Sequence, residues 1–330
     1  MSLDLIHGGA LDAMRAAYPQ APTPWIDLST GINPWSYPDT RVSEDALAHL
    51  PTRATYTACH NAMAAAMGAE PEALVLAPGS ELLIRLLPYI IKARRVAILS
   101  PTYGDHAEVW QRACADIVRT PDPLSMAQSV DAVVVTHPNN PDGRVFNPEA
   151  LEHARKTLAR RGGWLVIDEA YADLLPDHSL APSGGREGLI ILRSFGKFFG
   201  LAGVRLGGLL AATRLREAVS QSLGVWPVSG AALEIGTRAY RDLAWQSATR
   251  EKLASAAARL ELILSGPGLH RVGGTSLYAF VETDDAHQTF ETLARAGIYV
   301  RRFGWSRSHL RIGLPPTPNG EARLRAALTL

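Results

Sequence analysis

Short apolar runs, each followed by a segment with helical spacing, recur along much of the chain. The apolar runs are ALVLAPGS, RVAILSPTY, DAVVVTHPNNP, GWLVIDEAY and GLIILRSFGK, and the helical segments are CHNAMAAAMG, ELLIRLLPYII, GDHAEVWQRACA and PEALEHARKTLARRG. Apolar runs without polar alternation are typical of parallel strands that helices cover on both faces. The pattern therefore predicts an α/β fold with a mostly parallel sheet.

The pattern changes after about residue 215, where long helical segments precede strand-like runs such as HRVGGTSLYAFVET, GIYVRRF and HLRIGLP. Residues 1–45, in contrast, are rich in turn-forming residues. We predict an N-terminal arm over 1–45, a large sheet domain over 46–215 and a smaller α+β domain over 216–330. The arm is expected to pack with the smaller domain.

Composition and charge exclude several classes of function. The chain has 330 residues, 33 basic against 32 acidic side chains and 47% hydrophobic residues, which is ordinary for a globular protein. A formal net charge of +1 gives no electrostatic reason to expect binding to nucleic acid or to an anionic membrane. Two isolated cysteines and the absence of a visible secretory signal predict a cytoplasmic protein without a disulfide framework or a metal site.

Unusual polar clusters follow the predicted strands. The clusters are PGSE, PTYGDH, HPNNPDG, DEAY and SFGK. In open α/β sheets, ligands bind outside the carboxyl ends of the strands. We therefore expect the five clusters to form one site.

Lys197, one of four lysines, lies between Phe195 and the pair Phe198–Phe199. Partial desolvation favours the neutral amine, which can attack a carbonyl. The alternative is a surface lysine whose stem packs on aromatic rings.

Asp168 ends an apolar strand, where an unpaired carboxylate is costly, so it needs a cationic or protonated partner such as a pyridinium nitrogen. Tyr171 could hydrogen-bond a phenolate oxygen of the same ring, and Asn140, held by Pro141, could bind that ring too. The alternatives are a helix cap for Asp168 and a plain turn for Asn140.

Gly79, Ser80 and Glu81 open a helix, and a helix N-terminus binds anions. Ser194 and Arg205 could complete a phosphate site there, and Tyr103 could stack on a flat ring. Together these groups predict a pocket for a phosphorylated aromatic aldehyde, which is pyridoxal 5'-phosphate (PLP).

The ordered motifs resemble those of the fold-type I PLP enzymes, in the aminotransferase family that includes histidinol-phosphate aminotransferase. NPDG is similar to the family's Asn-Pro-x-Gly turn, with Asp142 where Thr is usual. The pair Asp168 and Tyr171 and the pair Ser194 and Lys197 match its next two motifs. Arg205 matches the phosphate arginine, and Arg311 the substrate arginine of the C-terminal LRI strand.

The arm carries a closer resemblance. HGGALDAM, WIDLSTGINPWSYP and LPTRATYTACHNAMA are similar to segments of the threonine-phosphate decarboxylases of cobalamin biosynthesis. Those enzymes convert L-threonine O-3-phosphate to (R)-1-amino-2-propanol O-2-phosphate and carbon dioxide. The resemblance implies that His7, Gly8, Gly9 and Asn33 lie near the substrate. It also implies a homodimer in which Tyr56 reaches the cofactor phosphate of the neighbouring subunit; for His7 the alternative is a loop histidine without a role.

The segment YVRRFGWSRSHLRIG holds four arginines. We expect Arg311, with Arg301 or Arg302, to bind the substrate phosphate. The alternative is a solvated charged face, for Arg307 and for one arginine of the Arg301–Arg302 pair, because neighbours in a strand point to opposite faces. Three functions stay open: decarboxylation of threonine phosphate, transamination of histidinol phosphate or a related amino acid, and a non-catalytic aminotransferase-like regulator. Lys197, Tyr103 or a water could return the proton to the substrate.

Overall fold

Seven short strands form the central sheet of the protein, in a computed structural model that describes residues 8–266 and 268–329. The strands lie in the order β2, β8, β7, β6, β5, β3, β4, and β8 runs antiparallel to its neighbours. They are β2 (Leu74–Ala77), β3 (Arg95–Leu99), β4 (Asp116–Thr120), β5 (Ala132–Thr136), β6 (Trp164–Asp168), β7 (Leu189–Ser194) and β8 (Gly207–Ala211). The predicted mostly parallel α/β sheet is confirmed, and β4 and β8 are additions that the sequence pattern did not predict.

Helices cover this sheet, and their apolar faces form its core. They are α2 (Glu44–Ala48), α3 (Arg53–Ala66), α4 (Ser80–Ile91), α5 (Gly104–Arg112), α6 (Pro148–Ala159), α7 (Thr213–Leu223) and α8 (Gly230–Arg241). One buried cluster joins Leu83 and Leu87 of α4 to Val134 and Ile190 of the strands. Helix α8, also absent from the sequence prediction, packs closely on α3: a side chain at Gly236 would lie 3.1 Å from Cys59 Sγ.

The chain divides into two compact units. The sheet unit comprises Tyr37–Asn140 and Arg144–Gln246, and the arm unit comprises the residues up to Ser36, Pro141–Gly143 and the residues from Ser247 onward. The boundaries predicted at residues 45 and 215 thus both fall inside the sheet unit. The physical reason is that α2 and α7–α8 pack on the sheet unit's own helices, as the close approach of Gly230 to Ala46 shows.

The arm unit contains a second, antiparallel sheet in the order β12, β13, β10, β9. The elements of the arm unit are α1 (Leu11–Ala17), β1 (Ile26–Asp27), α9 (Leu243–Leu264), β9 (Leu269–Thr275), β10 (Tyr278–Thr283), α10 (Ala286–Arg295), β11 (Ile298–Tyr299), β12 (Arg301–Arg302), β13 (His309–Gly313) and α11 (Pro318–Leu328). The first turn of α9, before Ser247, belongs to the sheet unit. The arm joins this unit through β1, which pairs in parallel with β11. Leu28 O then accepts a hydrogen bond of 2.7 Å from Gly313 N, so the arm lies beside β13.

Candidate active site

The predicted cofactor residues lie at one edge of the large sheet. Strands β2, β3, β5, β6 and β7 run in one direction, so their carboxyl ends share that edge. Residues that follow or end these strands are Gly79, Ser80, Glu81, Tyr103, Asn140, Asp168, Tyr171, Ser194 and Lys197. This is where ligands bind in open α/β sheets.

Gly207, the first residue of β8, brings the predicted phosphate groups together. It pairs with Ser194 on one side and with Ala77 on the other. A side chain at Gly207 would lie 2.8 Å from Ser80 N, so only glycine lets the end of β7 approach the start of α4 this closely. Sequence reasoning missed this residue.

Arg205 lies over the same helix N-terminus. An added Cβ at Gly79, which has a φ of +87°, would lie 2.9 Å from Arg205 Nη2. Arg205 itself has a φ of +55°, a left-handed conformation that is uncommon for a residue with a side chain. The helix N-terminus, Ser194 and an exposed guanidinium therefore lie together in an arrangement that suits an anion, and we call this group the helix anion site.

Asp168 is 3% exposed and already has protein partners. Its Oδ2 lies 3.0 Å from His106 Nε2, and its Oδ1 accepts a hydrogen bond of 3.1 Å from Ala170 N. An ionised carboxylate only accepts hydrogen bonds, so an ionised Asp168 requires His106 Nε2 to be the donor of this contact. Sequence reasoning assigned the compensating partner to a bound ring and missed His106, although a histidine on the buried face of α5 was a visible signal.

The carboxylate retains capacity for a ring nitrogen. Its two oxygens can accept about four hydrogen bonds, and the contacts with His106 and Ala170 use two. A buried acid that accepts from a protonated ring suits PLP, and the nearby helix anion site suits its phosphate. The residues present therefore fit this cofactor.

Tyr103 donates its hydroxyl to Glu81 Oε2 at 3.1 Å and meets His106 edge-on, with ring centroids 6.0 Å apart. Burial raises the pKa of Tyr103 well above its ordinary value, and the carboxylates of Asp105 and Glu81 raise it further. Arg85, which sequence reasoning also missed, joins Glu81 to Asp105 through contacts of 2.7 and 2.9 Å. Tyr103 thus stays a neutral hydrogen-bond donor.

Lys197 is half-buried, three residues beyond the end of β7. Phe195, Phe198 and Phe199 are fully buried. Phe199 stacks on Phe195 at 4.5 Å and on Trp245 at 5.7 Å. The phenylalanines that drew attention to the lysine therefore belong to an aromatic core that anchors its segment.

Of the other cofactor candidates, Tyr171 is buried and Asn140 half-buried. Asn139, next to Asn140, accepts from Thr102 at 2.7 Å and donates to Pro101 O at 3.0 Å. Tyr56 accepts a hydrogen bond of 3.2 Å from Leu76 N of its own chain. Its contact with a neighbouring subunit stays a prediction.

A second cluster lies in the arm unit, and Ser29 is at its centre. Ser29 Oγ accepts from Gly9 N at 2.8 Å, and Ser29 O accepts from Arg311 Nη2. A side chain at Gly8 would lie 2.6 Å from Ser29 O, and Gly9 has a φ of +90°, so both positions favour glycine. The structure thus joins three predicted substrate residues, Gly8, Gly9 and Arg311, through a serine that the sequence did not reveal; His7 lies outside the described residues.

The arginine pair is divided between two faces of the small sheet. Arg301 pairs directly with Arg311 across β12 and β13, and directly opposed residues share a face. Arg302 lies on the other face, with its guanidinium 5.0 Å from the Phe290 ring of α10 and in contact with His287. The structure therefore brings Arg301, and not Arg302, together with Arg311.

Arg311 and Asn33 are both buried within the arm unit. The Arg311 guanidinium lies 5.0 Å from the centre of the Tyr278 ring. Asn33 Oδ1 accepts a hydrogen bond of 2.9 Å from Trp35 N, which fixes the orientation of its amide group. Gly8, Gly9, Ser29, Arg301 and Arg311 are called the arm anion site below.

Comparison with known proteins identifies the family. Residues 23–328 match the model of the family "Aminotransferase class I and II". A threonine-phosphate decarboxylase of Pseudomonas aeruginosa is 41% identical over 98% of this chain and 97% of its own length. One from a Sinorhizobium species is 38% identical over 99% of this chain and 98% of its own length.

A solved structure shares the fold at much lower identity. The histidinol-phosphate aminotransferase from Clostridium acetobutylicum superimposes with a TM-score of 0.82 and 19% identity, over 92% of this chain and 98% of that one. Within residues 8–266 and 268–329, no helix has the length and apolar character needed to cross a bilayer. The chain belongs to the class I and II aminotransferase family.

Proposed function

We propose that this protein is a PLP-dependent decarboxylase that converts L-threonine O-3-phosphate to (R)-1-amino-2-propanol O-2-phosphate and carbon dioxide, a step of cobalamin biosynthesis. The observation that carries the proposal is the arm anion site, in which a buried Arg311 shares a sheet face with Arg301. Two guanidinium groups suit a phosphate dianion. The near-full-length similarity to threonine-phosphate decarboxylases supports the same substrate.

The geometry of the sheet edge supports the proposed cofactor-binding roles. Ser80 N, Ser194 and Arg205 would hold the cofactor phosphate, and Asp168 would accept a hydrogen bond from the protonated ring nitrogen. His106 keeps the Asp168 carboxylate oriented. When bound, PLP supplies an electron sink for the electron pair released at the substrate Cα.

The choice of bond depends on which substrate group the arginines hold. In an aminotransferase the C-terminal arginine holds the α-carboxylate, and Lys197 removes the Cα proton. If Arg311 and Arg301 hold the phosphate instead, the carboxylate is free to rotate. The bond from Cα to the carboxylate carbon would then break and release carbon dioxide, with the electron pair left behind stabilised by the bound PLP. Lys197, carrying the proton that the substrate ammonium group gives up on binding, would donate that proton to Cα.

Transamination of histidinol phosphate or a related amino acid is the second candidate. The fold shared with a histidinol-phosphate aminotransferase favours it, and it would use the same Asp168, Lys197 and Arg205. A non-catalytic regulator is the weakest candidate, because Asp168, Tyr171, Lys197 and Arg205 are all present.

The deciding experiment supplies the purified enzyme with L-threonine O-3-phosphate, with and without 2-oxoglutarate. We expect carbon dioxide release that does not require the oxo acid. Formation of glutamate without carbon dioxide would establish transamination instead. Lys197→Ala is the control: it should abolish turnover and the visible absorbance of the bound cofactor, whereas a regulator would show no turnover even with Lys197 present.

We also propose a homodimer with shared sites, in which Tyr56 contributes to the neighbouring subunit. Tyr56 lies on α3, and Arg53 and Asn61 of the same helix line a surface depression of about 590 Å³ together with Arg241 of α8. A cytoplasmic location is proposed from the two free cysteines, Cys59 and Cys114.

A further inference from the structure

Ser29 uses every polar group it has to connect separate parts of the arm unit. Its amide donates to Asp27 Oδ1 at 2.8 Å, and its hydroxyl donates to the same oxygen at 2.6 Å. The hydroxyl also accepts from Gly9 N at 2.8 Å, and the carbonyl accepts from Arg311. Ser29 is fully buried, so water does not compete for these hydrogen bonds.

The Gly8–Gly9 turn depends on this serine for its position. Helix α1 follows the turn directly, but Ala10, the N-cap residue before it, offers no side-chain cap. The Gly9–Ser29 hydrogen bond ties the turn to the segment beside β13, and the close approach of Gly8 to the Ser29 carbonyl fixes its orientation. Loss of the hydroxyl would release the turn while leaving the carbonyl that holds Arg311.

We infer that Ser29 is a positioning residue that sets the geometry between the Gly8–Gly9 turn and Arg311, and thereby the affinity for the phosphate of the substrate. The inference rests on the proposed function for the identity of that substrate. It assigns to Asp27 the task of orienting the Ser29 hydroxyl. The same groups would bind any tetrahedral oxyanion of this kind, including inorganic phosphate.

The test uses inorganic phosphate as the probe, with the holoenzyme saturated with PLP so that the helix anion site is filled. Calorimetry measures phosphate affinity for wild type and Ser29→Ala, and steady-state assays measure KM and kcat for threonine phosphate. We expect phosphate affinity to fall about tenfold, as for the loss of one buried hydrogen bond. KM should rise by a similar factor with a much smaller change in kcat.

Ser179→Ala is the matched control. The Ser179 hydroxyl also donates to a carboxylate, Glu169 Oε2 at 2.6 Å, and accepts from a backbone amide, Ala181 N at 3.1 Å. It lies in the sheet unit, outside both anion sites. Its loss should lower the melting temperature comparably without changing phosphate affinity.

Two substitutions of Asp27 separate geometry from charge. Asp27→Asn keeps an oxygen that can accept from Ser29 and should bind phosphate at least as well as wild type. Asp27→Ala removes that oxygen and should resemble Ser29→Ala. Equal behaviour of the two Asp27 variants, or wild-type phosphate affinity in Ser29→Ala, would overturn the inference.

The two proposals fail in different ways. If the wild-type enzyme releases no carbon dioxide from threonine phosphate but the phosphate affinities follow the expected order, the proposed reaction is wrong and the role of Ser29 stands. If carbon dioxide is released and Ser29→Ala binds phosphate normally, the reaction stands and the role of Ser29 is wrong.

Discussion

The helix anion site and the arm anion site are both proposed to bind a phosphate group, but they would bind it with different chemical groups. The helix anion site uses backbone at the ends of strands, with an exposed Arg205 above a helix N-terminus. The arm anion site uses a buried Arg311 whose guanidinium is held by a carbonyl from a residue 282 positions away in the chain. The helix anion site suits the phosphate of a cofactor that stays bound through many turnovers. The arm anion site suits the phosphate of a substrate that must be distinguished from similar molecules at each turnover.

The largest expected effects come from replacing the arginine of each site with alanine. Arg311→Ala should raise KM for threonine phosphate about 10- to 100-fold, because a hydrogen bond to a charged group contributes about 1.5–3 kcal/mol. Its affinity for PLP should stay as in wild type. Arg205→Ala should do the opposite, weakening PLP by a similar factor while KM at saturating PLP changes about twofold or less.

Fluorescence titration measures the PLP affinity of the two arginine variants, and initial rates measure their KM for threonine phosphate. An Arg311→Ala enzyme with unchanged affinity for threonine phosphate would remove Arg311 from the phosphate site. Arg205→Ala that alters KM and leaves PLP affinity intact would exchange the two assignments.

A smaller effect is expected from alanine at the glycines of each site. Gly79→Ala introduces a side chain at a φ of +87° and should cost more than about 1 kcal/mol of unfolding free energy. Its Cβ meets a flexible guanidinium, so PLP affinity should fall only a few-fold. Gly8→Ala meets backbone at Ser29 O, which cannot move aside, so the Gly8–Gly9 turn itself must shift; this should raise KM for threonine phosphate and also lower the free energy of unfolding.

Thermal unfolding and the same two affinity measurements test this pair. Gly8→Ala that lowers the melting temperature more than Gly79→Ala, with KM unchanged, would show that Gly8 supports the fold rather than the substrate site.

The smallest effect concerns Tyr103 and pH. Its raised pKa keeps the phenol protonated, so it should donate to Glu81 throughout the ordinary working range. Tyr103→Phe should therefore reduce kcat/KM a few-fold by a factor that is constant from about pH 6 to about pH 10. The ratio of kcat/KM for wild type to kcat/KM for Tyr103→Phe, measured across that pH range, tests this prediction. A ratio that approaches one near the upper limit would indicate an ionised tyrosine in the wild type.

The same pKa shift affects stability. Because the folded state favours the protonated phenol, the stabilisation that this shift contributes is lost as the pH rises above about 10.

The same contrast explains what the sequence could predict. Polar clusters after apolar runs indicated the helix anion site, because parallel strands bring their ends together by geometry alone. Ser29 and Gly207 were not found, since their roles depend on contacts between segments far apart in the chain. His106 was missed although it lies on the buried face of α5, because its partner Asp168 is 62 positions away. Helix α8 and strand β8 were missed for a related reason: their short small-residue segments become regular structure by packing, as at Gly236 against Cys59 and Gly208 against Met63.

Asp168 takes its hydrogen-bond partners from the chain itself, through His106 and the Ala170 amide. A buried carboxylate that is already compensated places no demand on a small molecule during folding. The apoprotein should therefore reach its native sheet unaided, and cofactor should add stability only by mass action, in proportion to the logarithm of its concentration. Cells could then keep a reserve of folded apoenzyme that vitamin B6 supply converts to working enzyme without new synthesis.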